Sequence, residues 1–144
     1  MTRATAILVT LLAAACGSPD VGGPTPGGPS AAGPAPKLST LAGSVFAPTC
    51  ATSGCHTGHP PVRAPDSFDA ALVHELVGKP SLQVPAMPII DPGNPGNSYL
   101  MPKLRGTAAS VGGVATRMPL NAPPLSDRDI AAIESWIQAG APND

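Results

Sequence analysis

The stretch Cys50-Ala51-Thr52-Ser53-Gly54-Cys55-His56 places two thiols and an imidazole close together in the chain. In an oxidising compartment neighbouring thiols rarely stay free, so they form a disulfide, bind a metal or attach a cofactor. A c-type haem is held by thioether bonds from two cysteines, followed at once by a His that reaches the iron. The usual spacing is C-x-x-C-H, whereas four residues separate the cysteines here. Only covalent haem attachment also gives His56 a role, so the stretch predicts a haem c site.

The composition bounds what else the chain can do. It has 144 residues, a net charge of −1 and 12% charged residues, which is room for one modest domain with no basic surface for nucleic acid. Aromatic residues make up only 3% of the chain, while Pro (20) and Gly (16) are abundant. A small chain with few aromatic side chains has difficulty building a dense core by itself. A buried porphyrin would supply the missing apolar surface.

The N-terminus has the pattern of an export signal. Arg3 precedes a short apolar run at residues 6–12, too short to span a bilayer as a mature helix, and small residues then lead into Cys16. The sequence Leu-Ala-Ala-Ala-Cys resembles a bacterial lipoprotein signal, which implies cleavage before Cys16 and lipidation of that residue. The alternative is an ordinary secretory signal cleaved after Ala15. By the same resemblance, Gly17 in place of Asp favours the outer membrane.

Three segments follow from this pattern. Residues 1–15 are predicted to be a lipoprotein signal peptide, and residues 16–36 a lipid anchor followed by a disordered tether rich in Gly and Pro. Such a tether reaches between roughly 25 Å as a coil and roughly 60 Å when extended. Residues 37–144 are predicted to form the folded domain. The chain would then be membrane-anchored in the bacterial cell envelope, facing the periplasm or the cell exterior.

The apolar spacing within the folded part predicts short helices and no strand of any length. Pro48 is expected to end the first helix, and Gly78-Lys79-Pro80 to end the second. Ser126, with Asp129 three residues later, should cap the last helix, which Gly140 should close. The helices are expected from Leu38 to Phe46, from Asp66 or Ser67 to Val77, from Tyr99 to Leu104 behind a cap at Asn97-Ser98, and from Ser126 to Gly140.

The segments from Lys37 to Asp144 resemble, in order and spacing, a bacterial c-type cytochrome domain of the kind found in lipoproteins. The resemblance implies a small all-α, cytochrome c-like fold of short helices and long loops around one covalent haem. It also implies one-electron transfer to redox partner proteins, and an electron carrier rather than an enzyme. The segments that carry it are Val45-Phe46-Ala47-Pro48-Thr49-Cys50 with Cys55-His56, Pro92 to Leu100, Arg117-Met118-Pro119, Leu125-Ser126, and Trp136 to Ala141.

The resemblance also implies the haem ligands. Cys50 and Cys55 would form the thioether bonds, and His56 and Met118 would bind the iron from opposite faces. The spacing of four residues between the cysteines departs from the commoner spacing of two, and small Ser53 and Gly54 would permit the longer arc. A haem-binding chain should therefore gather these four side chains around one cavity.

Two other methionines and two other histidines compete for the axial positions. Met87, Met101 and Met118 each precede a Pro, which favours an extended backbone and suits a side chain projected from a loop. Met101 is expected in the core, and Met87 remains the real competitor. His59 is too close to His56 to cross the haem easily, and His74 should face water.

Several roles stay open at the level of sequence. Lys103, Arg105 or Arg117 could pair with the haem propionates, and Trp136 is expected to anchor the core with Ile133 and Ile137. Two other functions remain as alternatives. One is a haem peroxidase-like domain with an open iron position. The other is a haem-free lipoprotein binding module with a Cys50–Cys55 disulfide.

Overall fold

A computed structural model of the chain describes residues 34–52, 55–56 and 68–144. The predicted signal peptide, Cys16, most of the tether, His59 and the predicted start of the second helix lie outside the described residues. The described part is mostly helical, and its β-type pairing consists of two isolated bridges, Val77 with Ile90 and Pro80 with Pro88. This agrees with the predicted all-α class. None of the helices in that part has the length and hydropathy needed to span a membrane.

The N-terminal helix is longer than the sequence predicts. It runs through α1 (Leu38–Leu41), a π-helical turn (Ala42–Phe46) and α2 (Ala47–Cys50), so the expectation that Pro48 ends the helix is wrong. The wider π turn resets the hydrogen-bond register just before Pro48. The proline then lies in the first turn of α2, where its missing N–H costs little. The helix therefore reaches Cys50 without a break.

The second helix, α3 (Ala70–His74), is shorter than predicted. Asp69 caps it by accepting a hydrogen bond from the Leu72 N–H at 2.9 Å, which is the usual role of Asp at this position. Phe68 has φ +50° and therefore lies outside the helix, although its side chain is buried. The helix ends at His74, so the prediction that Gly78-Lys79-Pro80 stops it is wrong; Gly78, with φ +71°, makes a turn four residues later.

The third helix, α4 (Leu100–Arg105), lies where the sequence predicts it, but the predicted cap is wrong. Tyr99 precedes the helix without a side-chain cap. The Ser98 hydroxyl instead accepts from the Asp91 N–H at 2.8 Å and donates to the Asn94 carbonyl at 3.0 Å. A 3-10 turn (Pro95–Asn97) fills the space before the helix, and a second one (Ala108–Val111) follows it.

The last helix, α5 (Asp127–Gln138), confirms both of its predicted ends. The Ser126 hydroxyl accepts from the Asp129 N–H at 3.1 Å and donates to the Asp129 carboxylate at 2.7 Å. Beyond the helix, the Gly140 N–H bonds to the Ile137 carbonyl and the Ala141 N–H to that of Trp136. This is the Schellman arrangement, which needs the positive φ of Gly140.

The core lies where the first and last helices meet. Helices α1 and α5 are in contact, and the Asp144 carboxylate accepts a hydrogen bond from the Leu38 N–H at 2.6 Å. Trp136 is fully buried, as predicted, and its indole N–H donates to the Pro142 carbonyl at 3.0 Å. The largest fully buried side chains of the described residues are Trp136, Phe46, Leu38, Leu41, Ile90, Met101, Ile133 and Ile137.

Candidate cofactor-binding site

Among the cavities that adjoin the end of the N-terminal helix, two are lined by Cys50, His56 and Met118. The smaller has a volume of about 120 Å³, and its walls include all four predicted ligands, Cys50, Cys55, His56 and Met118. The larger has a volume of about 350 Å³ and shares Cys50, His56 and Met118 with the smaller one. Its size falls within the usual range for small-molecule sites. The structure therefore brings the four residues together around one space, as a haem-binding chain requires.

The larger cavity has mainly apolar walls. The loop before α3, the loop from Ser81 to Ile89, helix α4 and Met118 surround it, together with the N-terminal helix. Apart from the shared residues, its walls are formed by Phe46, Phe68, Leu76, Ser81, Leu82, Gln83, Ile89, Tyr99, Leu100, Lys103 and Leu104. Such a lining suits a large flat apolar group with a few polar substituents.

Cys50 is the last residue of α2, so the helix fixes its position. Its sulfur lies 3.4 Å from the Thr49 hydroxyl, which also bonds the Val45 carbonyl at 2.6 Å. Burial raises the pKa of the Cys50 thiol, the hydrogen bond with Thr49 lowers it, and the charge of Cys55 raises it. Both cysteines are free thiols, and neither is joined in a disulfide.

His56 follows a tight turn in which the Cys55 N–H donates to the Thr52 carbonyl at 2.9 Å. Its ring packs edge-on against Phe68, with the ring centres 4.7 Å apart. The Nδ1 atom is buried and has no hydrogen-bond partner among the described residues. Burial lowers the pKa of His56, which favours the neutral imidazole that binds metals. A buried ring nitrogen without a partner is costly unless another group engages that same atom.

The three methionines that precede prolines occupy different surroundings. The Met118 N–H donates to the Lys103 carbonyl at 2.9 Å, and its half-buried side chain borders both cavities. Met101 is 1% exposed and belongs to the core, as predicted. Met87 is half-buried in the loop after α3 and borders neither cavity. The structure therefore places Met118, and not Met87, beside His56 and the two thiols.

One wall of the larger cavity is polar, and sequence reasoning missed two of its residues. The Tyr99 hydroxyl donates to the Gln83 side-chain oxygen, which also accepts from the Val114 N–H at 3.1 Å. Burial raises the pKa of Tyr99 and keeps the phenol neutral. A side chain at position 113 would collide with the Tyr99 hydroxyl, so Gly113 permits this contact. No local pattern in the sequence pairs Gln83 with Tyr99, because the two residues lie in separate segments of the chain that meet only in the fold.

Other residues singled out in the sequence lie away from the cavities. Arg105 is exposed and pairs with Glu134 at 2.7 Å. Arg117 donates to the Ala122 carbonyl at 2.8 Å and borders neither cavity. His74 also borders neither cavity, and as the last residue of the shortened α3 it is half-buried rather than exposed to water.

The donor set bears on which group the site could take. Within the residues described, no three His, Cys, Asp or Glu side chains cluster as a site for a bare metal ion. Two thiols, an imidazole and a thioether around an apolar space instead match a group that brings its own metal and its own hydrophobic surface. No protein-family profile, curated protein or solved structure matches the chain.

Proposed function

We propose that the folded domain carries one covalently attached haem c and transfers single electrons. The observation that carries the proposal is the convergence of Cys50, Cys55, His56 and Met118 on one cavity, which shares three of these residues with a larger apolar one. The buried His56 ring supports it, since its Nδ1, which has no hydrogen-bond partner among the described residues, is free to bind a metal. These residues fit a haem better than a disulfide, which would leave the imidazole and the apolar cavity without a purpose.

When bound, haem c supplies reversible one-electron exchange at its iron. Cys50 and Cys55 would hold it by thioether bonds, and the neutral imidazole of His56 and the sulfur of Met118 would bind its iron. A Met ligand favours the reduced iron. With both of these side chains on the iron, no position would be left for a substrate, and the chain would act as a carrier.

The N-terminal sequence indicates where in the cell this carrier would be located. We propose that lipid on Cys16 anchors the chain to a membrane of the bacterial cell envelope, with the domain facing the periplasm or the cell exterior. The predicted tether of residues 16–36 would let the domain reach redox partner proteins. The low charge of the chain offers no basic surface for nucleic acid.

The first test is covalent loading. The full chain is produced with and without a haem c attachment system, and the intact mass and the visible spectrum are measured under denaturing conditions. We expect a mass increase of one haem in wild type, and no retained haem when Cys50→Ala and Cys55→Ala are combined. His56→Phe should abolish or strongly reduce haem-bound material, whereas the matched control His74→Phe should load like wild type.

Two outcomes would contradict the proposal in different ways. Wild type that gains no haem and loses two hydrogens between Cys50 and Cys55 would favour the haem-free binding module. Loaded protein that binds carbon monoxide at full stoichiometry without any substitution would indicate an open iron position and favour the peroxidase-like alternative.

A further inference from the structure

Lys103 is a nearly buried cation on the wall of the larger cavity. The residue is only 8% exposed and stands among the lining residues of α4. Its ammonium group donates to the backbone carbonyls of Val114, at 3.3 Å, and Thr116. Both acceptors are neutral. The ion pairs found in the described residues join Lys37 to Asp144 and Arg105 to Glu134, so neither involves this lysine.

The described residues place no negative charge beside Lys103 on the cavity wall. No Asp or Glu is among the residues that line the cavity in the described part of the chain. Burial raises the pKa of Tyr99 on the same wall, so that phenol carries no charge. A buried charge without a counter-ion is costly, so an anion is the missing component of this wall.

We infer that Lys103 binds a carboxylate of the group held in the cavity. The inference rests on the proposed function, in which that group is haem c, whose propionates are its anionic substituents. A lysine ammonium has three N–H donors, and the two backbone carbonyls leave one for this carboxylate. Attraction between the two charges is strong where water is excluded.

The structure also chooses among the three cations that the sequence left open. Arg105 is exposed and already paired with Glu134, and Arg117 borders neither cavity. Lys103 alone of the three lines the larger cavity. The hydroxyl of Tyr99 and the amide of Gln83 stand on the same wall and are already bonded to each other, so the charge on Lys103 is the main source of recognition.

The test uses loaded full-length protein whose haem carries ¹³C at the propionate carboxylates. Infrared difference spectra between the oxidised and reduced states identify the carboxylate band by its isotope shift, and the midpoint potential is measured on the same samples. In Lys103→Met we expect the labelled band to shift and the potential to fall, since losing a buried positive charge favours the ferric iron. The exposed Lys79→Met is the matched control, and both of its readouts should equal those of wild type.

Lys103 also donates hydrogen bonds to the backbone carbonyls of Val114 and Thr116. A second variant therefore separates binding of the carboxylate from stabilisation of this loop. Lys103→Arg keeps the charge but changes the donor geometry, so the labelled band should shift while the potential stays at the wild-type value. A labelled band unchanged in either variant, with haem fully attached, overturns the inference and leaves the proposed function intact. Wild type without attached haem overturns the proposed function first, and the inference with it.

Discussion

At the scale of single residues, Met118 is the most informative position, because under the proposed function its sulfur would decide whether the haem iron is open to other ligands. We expect Met118→Leu to retain covalent haem, since the thioether bonds do not depend on it. Its midpoint potential should fall, because Met stabilises the reduced iron. Carbon monoxide binding to the reduced protein should rise from undetectable to stoichiometric.

Met87→Leu is the matched control for this experiment. Met87 also precedes a proline and is half-buried, yet it borders neither cavity. The midpoint potential of the Met87→Leu variant should equal that of wild type, and the reduced variant should bind no carbon monoxide. If Met87→Leu opens the iron and Met118→Leu does not, the assignment of the second ligand is wrong.

The same residues show how far sequence reasoning reaches. Cys50, Cys55 and His56 could be proposed from sequence because their chemistry lies within one short stretch. The choice of Met118 over Met87 needed the family resemblance, and the structure supports it only because the fold brings residue 118 back to the first helix. The contact of Gln83 with Tyr99 could not be proposed, since it depends on how two distant loops meet.

At the scale of elements, apolar periodicity located the helices better than it located their ends. The pattern from Leu38 to Phe46 does reveal a helix, but a π turn is not visible in a 3.6-residue period. The sequence therefore predicts that Pro48 ends the helix, whereas the π turn shifts the hydrogen-bond register and lets the helix continue to Cys50. The consequence concerns the site, because a helix ending before Pro48 would leave the first thiol on a loop.

The N-cap of α5 gives the clearest element-scale prediction. Ser126→Ala removes the hydroxyl that bonds both the N–H and the carboxylate of Asp129. We expect the free energy of unfolding to drop by about 1 kcal/mol, as for other N-cap serines. Urea denaturation of the loaded protein, followed by far-ultraviolet circular dichroism, measures this change.

Ser39→Ala is the control for that substitution. Ser39 is exposed within α1, and the cap of that helix uses no side chain. Its replacement should change the free energy of unfolding by less than about 0.5 kcal/mol. Equal losses in both variants would mean that the Ser126 cap adds nothing beyond an ordinary surface serine.

At the scale of the whole molecule, the few aromatic side chains are divided between two places. Trp136 is at the centre of the packed core, whereas Phe46, Phe68 and Tyr99 line the larger cavity. The composition indicated a chain too poor in aromatics to fill its own interior. In the structure, the volume that these side chains leave unfilled is the larger cavity, which lies between the first helix, the loop before α3 and Met118.

This division predicts how the chain behaves without the proposed haem. Without an occupant, the apolar walls of this cavity of about 350 Å³ would be exposed to water, which is unfavourable. The haem-free chain should therefore collapse around the cavity or lose fixed packing. We expect a broad thermal transition and a weak near-ultraviolet signal from Trp136, against a sharp transition and a strong signal in loaded protein.

The comparison is best made between wild type with attached haem and the same chain produced without the attachment system. Differential scanning calorimetry and near-ultraviolet circular dichroism follow unfolding and the packing of Trp136, the only tryptophan in the chain. Because Trp136 lies in the core and borders neither cavity, its signal reports whether filling the cavity organises the rest of the domain. A haem-free chain that unfolds as sharply and at the same temperature as loaded protein would show that the domain is complete by itself. That result would favour the haem-free binding module, because it would show that the domain does not depend on a haem in the cavity for its packing.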